Sequence, residues 1–344
     1  MKNGGNSMKI KRKILGVLSV AVLLLGTVGC GNEKQTDSDD QKEVALNKVI
    51  RVGAVELDGN PLLENGCLAL KNNFFDEELN KAGYELQLVT FPDGGPAINE
   101  AYASGDIDLA VYGDLPASVC YSSGIDIKVI GSSNAQVNTG VIAHKDSGIK
   151  SIKDLEGKKV IVGNGTIYHE YWQRLVEAYD IDESKVEVVN AVSDGQTIFT
   201  SGDADAWITF YYNALYFEEQ GYGTTIENTT DHPEMASQSV VTGNTDYLKE
   251  NPEAAKAFLK ALKRSQEYAV EHPDELYASV STPTIGTDIY EQSYGFDKNF
   301  AYLDPKLTDA TRDKFEYLNK FLTDQGLIEH EVDLDALIDE SYCK

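Results

Sequence analysis

The stretch Ser104-Gly105-Asp106-Ile107-Asp108 recurs later in the chain as Ser201-Gly202-Asp203-Ala204-Asp205. In both copies the pattern predicts a helix that ends at a glycine and a strand that starts immediately afterwards. Each copy also follows a strand and an Asp-Gly loop, at Asp93-Gly94 and at Asp194-Gly195. A repeated supersecondary unit of this kind indicates two related lobes. Two lobes imply a cleft between them.

Predicted strands and helices alternate on either side of the repeated stretch. The strands are predicted at residues 49–54, 84–91, 107–112, 127–130, 159–162, 186–189, 204–209 and 239–242. The helices are predicted at residues 96–103, 116–122, 167–179 and 251–271, and Asn60-Pro61 is predicted to begin another helix. This alternation predicts an α/β fold in which each lobe is a mostly parallel sheet flanked by helices.

Two crossovers between the lobes are predicted, near residues 140–144 and 238–242, where apolar segments leave the first lobe and return to it. This organisation assigns residues 48–142 and 239–344 to the first lobe and residues 143–238 to the second. Two connecting strands make a hinge that can close on a ligand with little backbone strain.

The first residues predict secretion and a lipid anchor. Basic residues at positions 9 and 11–13 precede an apolar run at 14–25, and small residues lead to Cys30. This layout is typical of a lipoprotein signal peptide over 1–29, followed by a lipidated Cys30 and a disordered polar tether over 30–47. We therefore expect an extracytoplasmic protein held at the cell membrane through Cys30. The alternative is a short membrane helix with a chance cysteine, and either Met1 or Met8 fits as the start.

Composition excludes several other classes of protein. The formal net charge of −26 argues against nucleic-acid binding, which depends on clustered lysine and arginine. Besides Cys30, the cysteines are Cys67, Cys120 and Cys343, and they show neither a CxxC motif nor metal-ligand spacing. The sequence predicts no disulfide framework, no metal site and no cofactor, and the chain is expected to be a monomer.

Several segments together resemble the solute-binding lipoproteins of ABC importers for aliphatic sulfonates, taurine, nitrate and thiamine-precursor pyrimidines. They are Phe91-Pro92-Asp93-Gly94-Gly95-Pro96, Gly113-Asp114-Leu115-Pro116, Gly165-Thr166-Ile167-Tyr168-His169 and Asp205-Ala206-Trp207. The resemblance covers nearly all of the chain after the tether. It implies a two-lobed, periplasmic-binding-protein-like fold of type II. It also implies delivery of a small solute to a permease that a cytoplasmic ATPase drives.

Candidate ligand-binding residues follow predicted strand ends, because ligands of open parallel sheets bind beyond the carboxyl ends of the strands. They are Gly113, Asp114, Leu115, Ser132, Ser133, Gly165, Thr166, Tyr168, His169, Trp207, Tyr211, Asp58 and Asn60. The resemblance places Trp207 near the ligand and matches His169 to a family histidine. Asp114 could equally cap its helix, and His169 could equally be a surface or core residue.

Enzyme signatures are incomplete. Gln173 stands where a zinc-protease helix beginning at His169-Glu170 needs its second histidine, and neither G-x-S-x-G nor G-x-x-x-x-G-K occurs. Some pyrimidine-forming enzymes share the fold that the resemblance implies. The prediction is nevertheless a binding protein and not an enzyme.

The chemistry of the solute is the least determined prediction. None of the candidate loops contributes lysine or arginine, so an anion would rest on helix N-termini and hydroxyl groups. The leading prediction is a small sulfonate, such as an alkanesulfonate or a taurine-like compound. A thiamine-precursor pyrimidine or another aromatic heterocycle is the alternative within the same fold, and a surface sensor or adhesin without transport is the alternative of another class.

Overall fold

The computed structural model describes residues 48–57, 59–328 and 330–344. The predicted signal peptide, tether and lipidated Cys30 lie outside these residues. The strands are β1 (Lys48–Val55), β2 (Tyr84–Phe91), β3 (Leu109–Gly113), β4 (Ile127–Val137), β5 (Thr139–His144), β6 (Lys159–Val162), β7 (Glu187–Asn190), β8 (Ala206–Phe210), β9 (Gly223–Asn228) and β10 (Ser237–Asn244).

Helices cover both sheets. They are α1 (Asn65–Lys71), α2 (Phe74–Lys81), α3 (Gly95–Ser104), α4 (Asp114–Ser122), α5 (Ile167–Tyr179), α6 (Gly195–Ser201), α7 (Tyr211–Glu219), α8 (Thr245–Glu250), α9 (Pro252–Glu271), α10 (Pro273–Val280), α11 (Thr287–Tyr294), α12 (Asp309–Asp324) and α13 (Leu334–Leu337). None of the helices within the described ranges combines the length and the apolar character needed to cross a membrane.

Each lobe contains one five-stranded sheet, and the two sheets have the same topology. The first has the order β2-β1-β3-β10-β4 and the second the order β7-β6-β8-β5-β9. In the first sheet β10 runs antiparallel to β3 and β4, and in the second β5 runs antiparallel to β8 and β9. The remaining pairs are parallel. Each sheet is therefore mixed, with four strands in one direction and one strand against them, and the prediction of a two-lobed α/β fold is confirmed.

The repeated Ser-Gly-Asp-x-Asp stretch has the same role in both lobes. The N–H of Asp108 donates to the carbonyl of Arg51 at 2.8 Å, and the N–H of Arg51 donates back to Asp108 Oδ2 at 2.8 Å. In the second lobe Asp205 and Lys159 exchange the same two hydrogen bonds, each at 2.9 Å. We call these two arrangements the aspartate clamps. Each ties the strand that follows the repeat to its parallel neighbour, at Arg51 within β1 and at Lys159, the first residue of β6.

The antiparallel strands end on the same two aspartates. The N–H of Asn244, the last residue of β10, donates to the carbonyl of Asp108 at 2.9 Å. The N–H of His144, the last residue of β5, donates to the carbonyl of Asp205 at 2.8 Å. Each clamp therefore joins three strands at the end of the sheet where the parallel strands begin.

The chain crosses between the lobes at Asn138, which separates β4 from β5, and through residues 229–236, which separate β9 from β10. The first crossover lies before the predicted boundary at 142/143, because the chain pairs with β8 and β9 from about Thr139 onward. The second lies before the predicted boundary at 238/239, because β10 already begins at Ser237. Buried residues continue from β4 into β5, so no change of pattern marks the first crossing.

The segment after β1 differs from the predicted helix start at Asn60. Leu57 and Asn60 exchange backbone hydrogen bonds at 3.1 and 2.8 Å, which closes a tight turn. The Asn60 side chain donates from Nδ2 to the carbonyl of Val280 at 2.8 Å, so it does not cap a helix. The first helix begins only at Asn65.

Helix α5 of the second lobe meets α4 and α12 of the first lobe at a buried group of charges. Asp114, the first residue of α4, and Glu170 of α5 are both fully buried. Arg174 donates from Nη2 to Glu170 at 2.6 Å and lies 3.8 Å above the ring of Tyr317. Lys314 donates to the backbone of β4 at 2.7 Å. We call Asp114, Glu170, Arg174 and Lys314 the interlobe charge cluster.

Burial dominates the ionisation of this cluster. It raises the pKa of Asp114 well above its usual range, and the neighbouring charge of Glu170 raises it further. Burial also lowers the pKa of Lys314 to about 8. The folded protein therefore keeps a proton on Asp114 at pH values where the unfolded chain has lost it.

We expect Asp114→Asn to gain stability over the native chain as the pH rises. Above about pH 4 the native state retains a proton that the unfolded state releases, so the native chain loses up to about 1.4 kcal/mol per pH unit. The asparagine has no proton to retain, and the difference should grow as the pH rises above about 5. Urea unfolding of both proteins measures it. Asp313→Asn, which changes an exposed carboxyl of α12, is the control. A difference that stays constant with pH contradicts the raised pKa.

Candidate ligand-binding cleft

The boundary between the lobes encloses a cavity of about 780 Å³, including its opening to solvent. We call it the inner chamber. Its apolar lining consists of Val55, Leu57, Leu62, Leu63, Val111, Tyr112, Pro116, Ile167, Tyr168, Val192, Phe210 and Leu262, with Gly66, Gly94, Gly95 and Gly113. Its polar lining consists of Glu64, Asn65, Ser133, Thr166 and Ser239. Both lobes contribute, so an occupant would contact the two lobes at once.

A second cavity of about 730 Å³, the outer chamber, adjoins the first. Its own lining consists of Glu56, Pro92, Ser193, Gln196, Trp207, Thr209 and Asn213. Leu57, Tyr168 and Val192 line both chambers and separate them. The outer chamber is more polar, and it offers amide and hydroxyl groups to a solute that extends beyond the inner one.

Aromatic rings form part of the wall of the inner chamber. Tyr168 contacts Phe210 edge to face, with ring centroids 5.3 Å apart, and Phe210 stacks on Tyr212 at 5.4 Å. Tyr112 of the first lobe is also part of the lining. Rigid rings of this kind provide flat apolar surface, which suits a planar solute.

Gly113 allows the lobes to approach each other closely. A Cβ atom at this position would lie 2.5 Å from Ile167 Cγ2 on the opposite lobe. The backbone of Gly113 is extended, with φ −66° and ψ 152°, so any residue could adopt it. The requirement for glycine therefore comes from the contact between the lobes. It does not come from the backbone.

The N-terminus of α4 does not present the anion site that the sequence predicts. The N–H of Leu115 donates to Asp114 Oδ1 at 3.0 Å, and Pro116 has no N–H to offer. Asp114 thus accepts a hydrogen bond from the next residue through its own carboxyl oxygen, whereas the N-cap of α4 is Gly113, with no side-chain capping hydrogen bond. An external anion finds few free donors here.

The N-terminus of α5 is also satisfied within the chain. Thr166 is its N-cap, and its hydroxyl oxygen accepts a hydrogen bond from the N–H of Tyr168 at 3.1 Å. The N–H of Gly165 donates to His169 Nδ1 at 3.4 Å. The chain's own side chains thus take hydrogen bonds that the prediction reserved for an anionic ligand.

Glu64 is the acidic side chain in the lining of the inner chamber, and the sequence analysis did not identify it. It is 5% exposed, and its Oε1 accepts a hydrogen bond from Asn134 Nδ2 at 3.1 Å. Burial raises its pKa to about 7. Its backbone has φ 44° and ψ −122°, a conformation that no pattern in the sequence predicts. Among the described lining residues of both chambers there is no lysine, arginine or histidine.

Of the predicted site residues, Gly113, Ser133, Thr166 and Tyr168 line the inner chamber and Trp207 lines the outer one. The Ser133 hydroxyl is buried and has no hydrogen-bond partner within the described part of the chain, so a solute could bind it. The following residues lie outside both linings: Asn60, Asp114, Leu115, Ser132, Gly165, His169 and Tyr211. Asp58 lies outside the described residues.

Packing explains where several of these residues lie. Leu115 is fully buried in the core of the first lobe. The ring of His169 contacts Phe321 of α12 edge to face at 5.6 Å, and burial lowers the pKa of His169. The N–H of Tyr211 donates to the carbonyl of Asn138 at 2.8 Å, next to the first crossover.

The described residues contain no group of histidine, cysteine, aspartate and glutamate side chains arranged to hold a metal ion. The three described cysteines, Cys67, Cys120 and Cys343, are free. Burial raises the pKa of Cys67 and of Cys120 to about 12. Both therefore behave as small apolar residues.

Three relatives are similar to the chain over most of its length. A Bacillus subtilis protein named for aliphatic sulfonate binding is 24% identical over 97% of this chain and 96% of its own. The formylaminopyrimidine-binding protein of Halalkalibacterium halodurans is 26% identical over 76% of this chain and 77% of its own. The 4-amino-5-hydroxymethyl-2-methylpyrimidine phosphate synthase of Candida albicans is 26% identical over 71% and 74%.

Structural comparison gives the same fold. The alkanesulfonate-binding protein SsuA of Xanthomonas axonopodis pv. citri, solved with bound MOPS, superposes with a TM-score of 0.73. The superposition covers 86% of this chain and all of the SsuA chain, at 15% identity. Residues 67–276 match the model of the family described as NMT1/THI5 like. The chain has a periplasmic-binding-protein-like fold and belongs to the NMT1/THI5-like family.

Proposed function

We propose that this protein is the solute-binding component of an importer. It captures a small molecule between its lobes and delivers it to a membrane permease that a cytoplasmic ATPase drives. The observation that carries this proposal is a cavity lined by two lobes, which two segments connect in the described part of the chain. A solute that contacts both lobes stabilises the closed form over the open one, so occupancy and shape are coupled.

We place the protein outside the cytoplasm, held at the membrane by a lipid on Cys30. The order of basic residues, apolar residues and cysteine at the start of the sequence supports this location. A monomer suffices for capture, because one chain provides both walls of the cleft.

The solute class that the geometry supports best is an aromatic heterocycle, such as a thiamine-precursor pyrimidine. The lining of the inner chamber is mainly apolar, with aromatic rings from both lobes, and such surfaces suit planar rings. A sulfonate would find no basic side chain in the described lining, and Asp114 already occupies the end of α4. The name of the formylaminopyrimidine-binding relative also supports the heterocycle.

A sulfonate remains the competing solute, and the name of the Bacillus subtilis relative supports it. We propose no catalytic step, although one relative is named as a synthase. The described lining of the inner chamber contains no cysteine, histidine or lysine.

A thermal-shift screen tests the proposed solute class. Binding to the folded state alone stabilises it by about 2.7 kcal/mol at a ligand concentration one hundred times Kd. We expect 4-amino-5-hydroxymethyl-2-methylpyrimidine and its formylamino analogue to raise the Tm of the chain from residue 31 onward. Hexanesulfonate, taurine and nitrate are the comparison solutes. Stabilisation by sulfonates alone shows that the heterocycle is wrong, and stabilisation by none of the compounds contradicts solute capture.

Uptake separates transport from a sensor or adhesin role. Deletion of the gene should abolish import of the radiolabelled solute that the screen identifies. The gene carried on a plasmid should restore import. Import that continues unchanged in the deletion strain, with no other binding protein for that solute, contradicts the importer assignment.

Gly113→Ala should weaken solute binding by opposing closure of the lobes. The added methyl group overlaps Ile167, and overpacking of this kind costs about 1–3 kcal/mol. We therefore expect about a tenfold or larger increase in Kd for the solute that the screen identifies. The double variant Gly113→Ala, Ile167→Ala removes the overlap and should recover part of the affinity. Equal affinity of Gly113→Ala and the native chain would mean that the solute-bound form does not bring these residues together.

A further inference from the structure

Glu64 is a buried acidic group with little compensation from the protein. Its carboxyl lies in a lining that is mainly apolar, and a buried charge is costly unless it is paired. The compensation found in the described structure is one hydrogen bond from the Asn134 amide. Among the described residues, burial and this amide govern its ionisation, without a contribution from a basic side chain.

The backbone of Glu64 is also unfavourable. Its φ of 44° and ψ of −122° lie in a region that residues other than glycine rarely adopt. A charged side chain at such a position costs free energy twice, once in the backbone and once in desolvation. Costs of this kind cluster at sites where a ligand is bound.

We infer that Glu64 selects the solute by binding a nitrogen that carries a positive charge or a pair of N–H donors, such as an amidinium or an aminopyrimidine. This inference rests on the proposed capture of a solute in the inner chamber. A planar nitrogen group with two N–H donors can form two parallel hydrogen bonds with a carboxylate, and its charge compensates the buried one. The same carboxylate repels sulfonates and other anions, so one residue favours one solute class and rejects another.

Glu64 is surrounded by groups whose pKa values lie far above 7, whereas its own pKa is about 7. Cys67 of α1, Tyr294 of α11 and Tyr302 interact electrostatically with it. Burial raises the pKa of Cys67 to about 12 and the pKa values of both tyrosines well above their usual range, so all three are neutral at pH 7. Binding of a permanent cation should therefore strengthen as Glu64 loses its proton, near pH 7.

Three probes of similar shape test the inference: benzamidine is positive, benzamide is neutral and benzenesulfonate is negative. Isothermal titration of the chain from residue 31 onward should give affinities in that order. The affinity for benzamidine should rise about tenfold between about pH 6 and about pH 8, because the ionised fraction of a group with a pKa near 7 rises by that factor. Glu64→Gln should lose at least tenfold in benzamidine affinity at about pH 8 and lose the pH dependence.

Asp313→Asn, which changes an exposed carboxyl of α12 outside both chamber linings, is the control and should change benzamidine affinity less than threefold. If Glu64→Gln does not fold, the affinity order and the pH profile of the native chain decide the inference by themselves. Benzenesulfonate binding as tight as benzamidine, or no benzamidine binding at all, overturns it.

The solute that the thermal-shift screen identifies separates this inference from the proposed function. Equal binding of that solute by the native chain and Glu64→Gln overturns the role of Glu64 and leaves solute capture intact. Weaker binding by Glu64→Gln, with Asp313→Asn unaffected, supports the role. Failure of the native chain to bind any solute of the screen and any of the three probes overturns both.

Discussion

The two aspartate clamps are the interaction on which the arrangement of the molecule depends. Asp108 and Asp205 each join three strands at the end of a sheet where the parallel strands begin. With that end fixed, the loops at the opposite end, where the parallel strands finish, remain available for binding. Val55 and Gly113 finish two strands of the first sheet, and both line the inner chamber. The same short sequence thus builds both halves of one cleft.

The described lining of the cleft contains acidic side chains and no basic ones, which is not the composition expected of an anion-binding site. A binding site for sulfonates needs free backbone donors or basic side chains. At the N-termini of α4 and α5, backbone N–H groups already donate to side chains of the protein itself. Glu64 adds a carboxyl to an apolar chamber, and Glu56 adds another to the chamber beside it. Both features favour a solute without negative charge. The family supplies the fold, whereas a few side chains determine the chemistry of the cargo.

The sequence predicted helices and strands well where the apolar pattern ends at the same residue as the helix or strand. Strand β6 and helix α5 have the predicted bounds, because apolar periodicity and the Thr166 cap mark them clearly. The site was predicted less well. Glu64 follows a turn that the sequence suggested as a helix start, and a glutamate at positive φ has no signature in the sequence. Burial of His169 against Phe321 depends on packing between lobes, which lies beyond any local pattern.

The carboxyl of Asp114, which accepts a hydrogen bond from the first turn of its own helix, acts as a tethered competitor. A group held by a few covalent bonds beside its donor has an effective concentration far above that of a free metabolite. An external anion must displace the Asp114 carboxyl before the anion can accept the hydrogen bond from Leu115. The protein therefore disfavours anions at the N-terminus of α4 because its own carboxyl already accepts the hydrogen bond there. A relative with a small neutral residue in place of Asp114 would leave this N–H without its carboxyl partner, so one side chain sets the acceptor at this helix end.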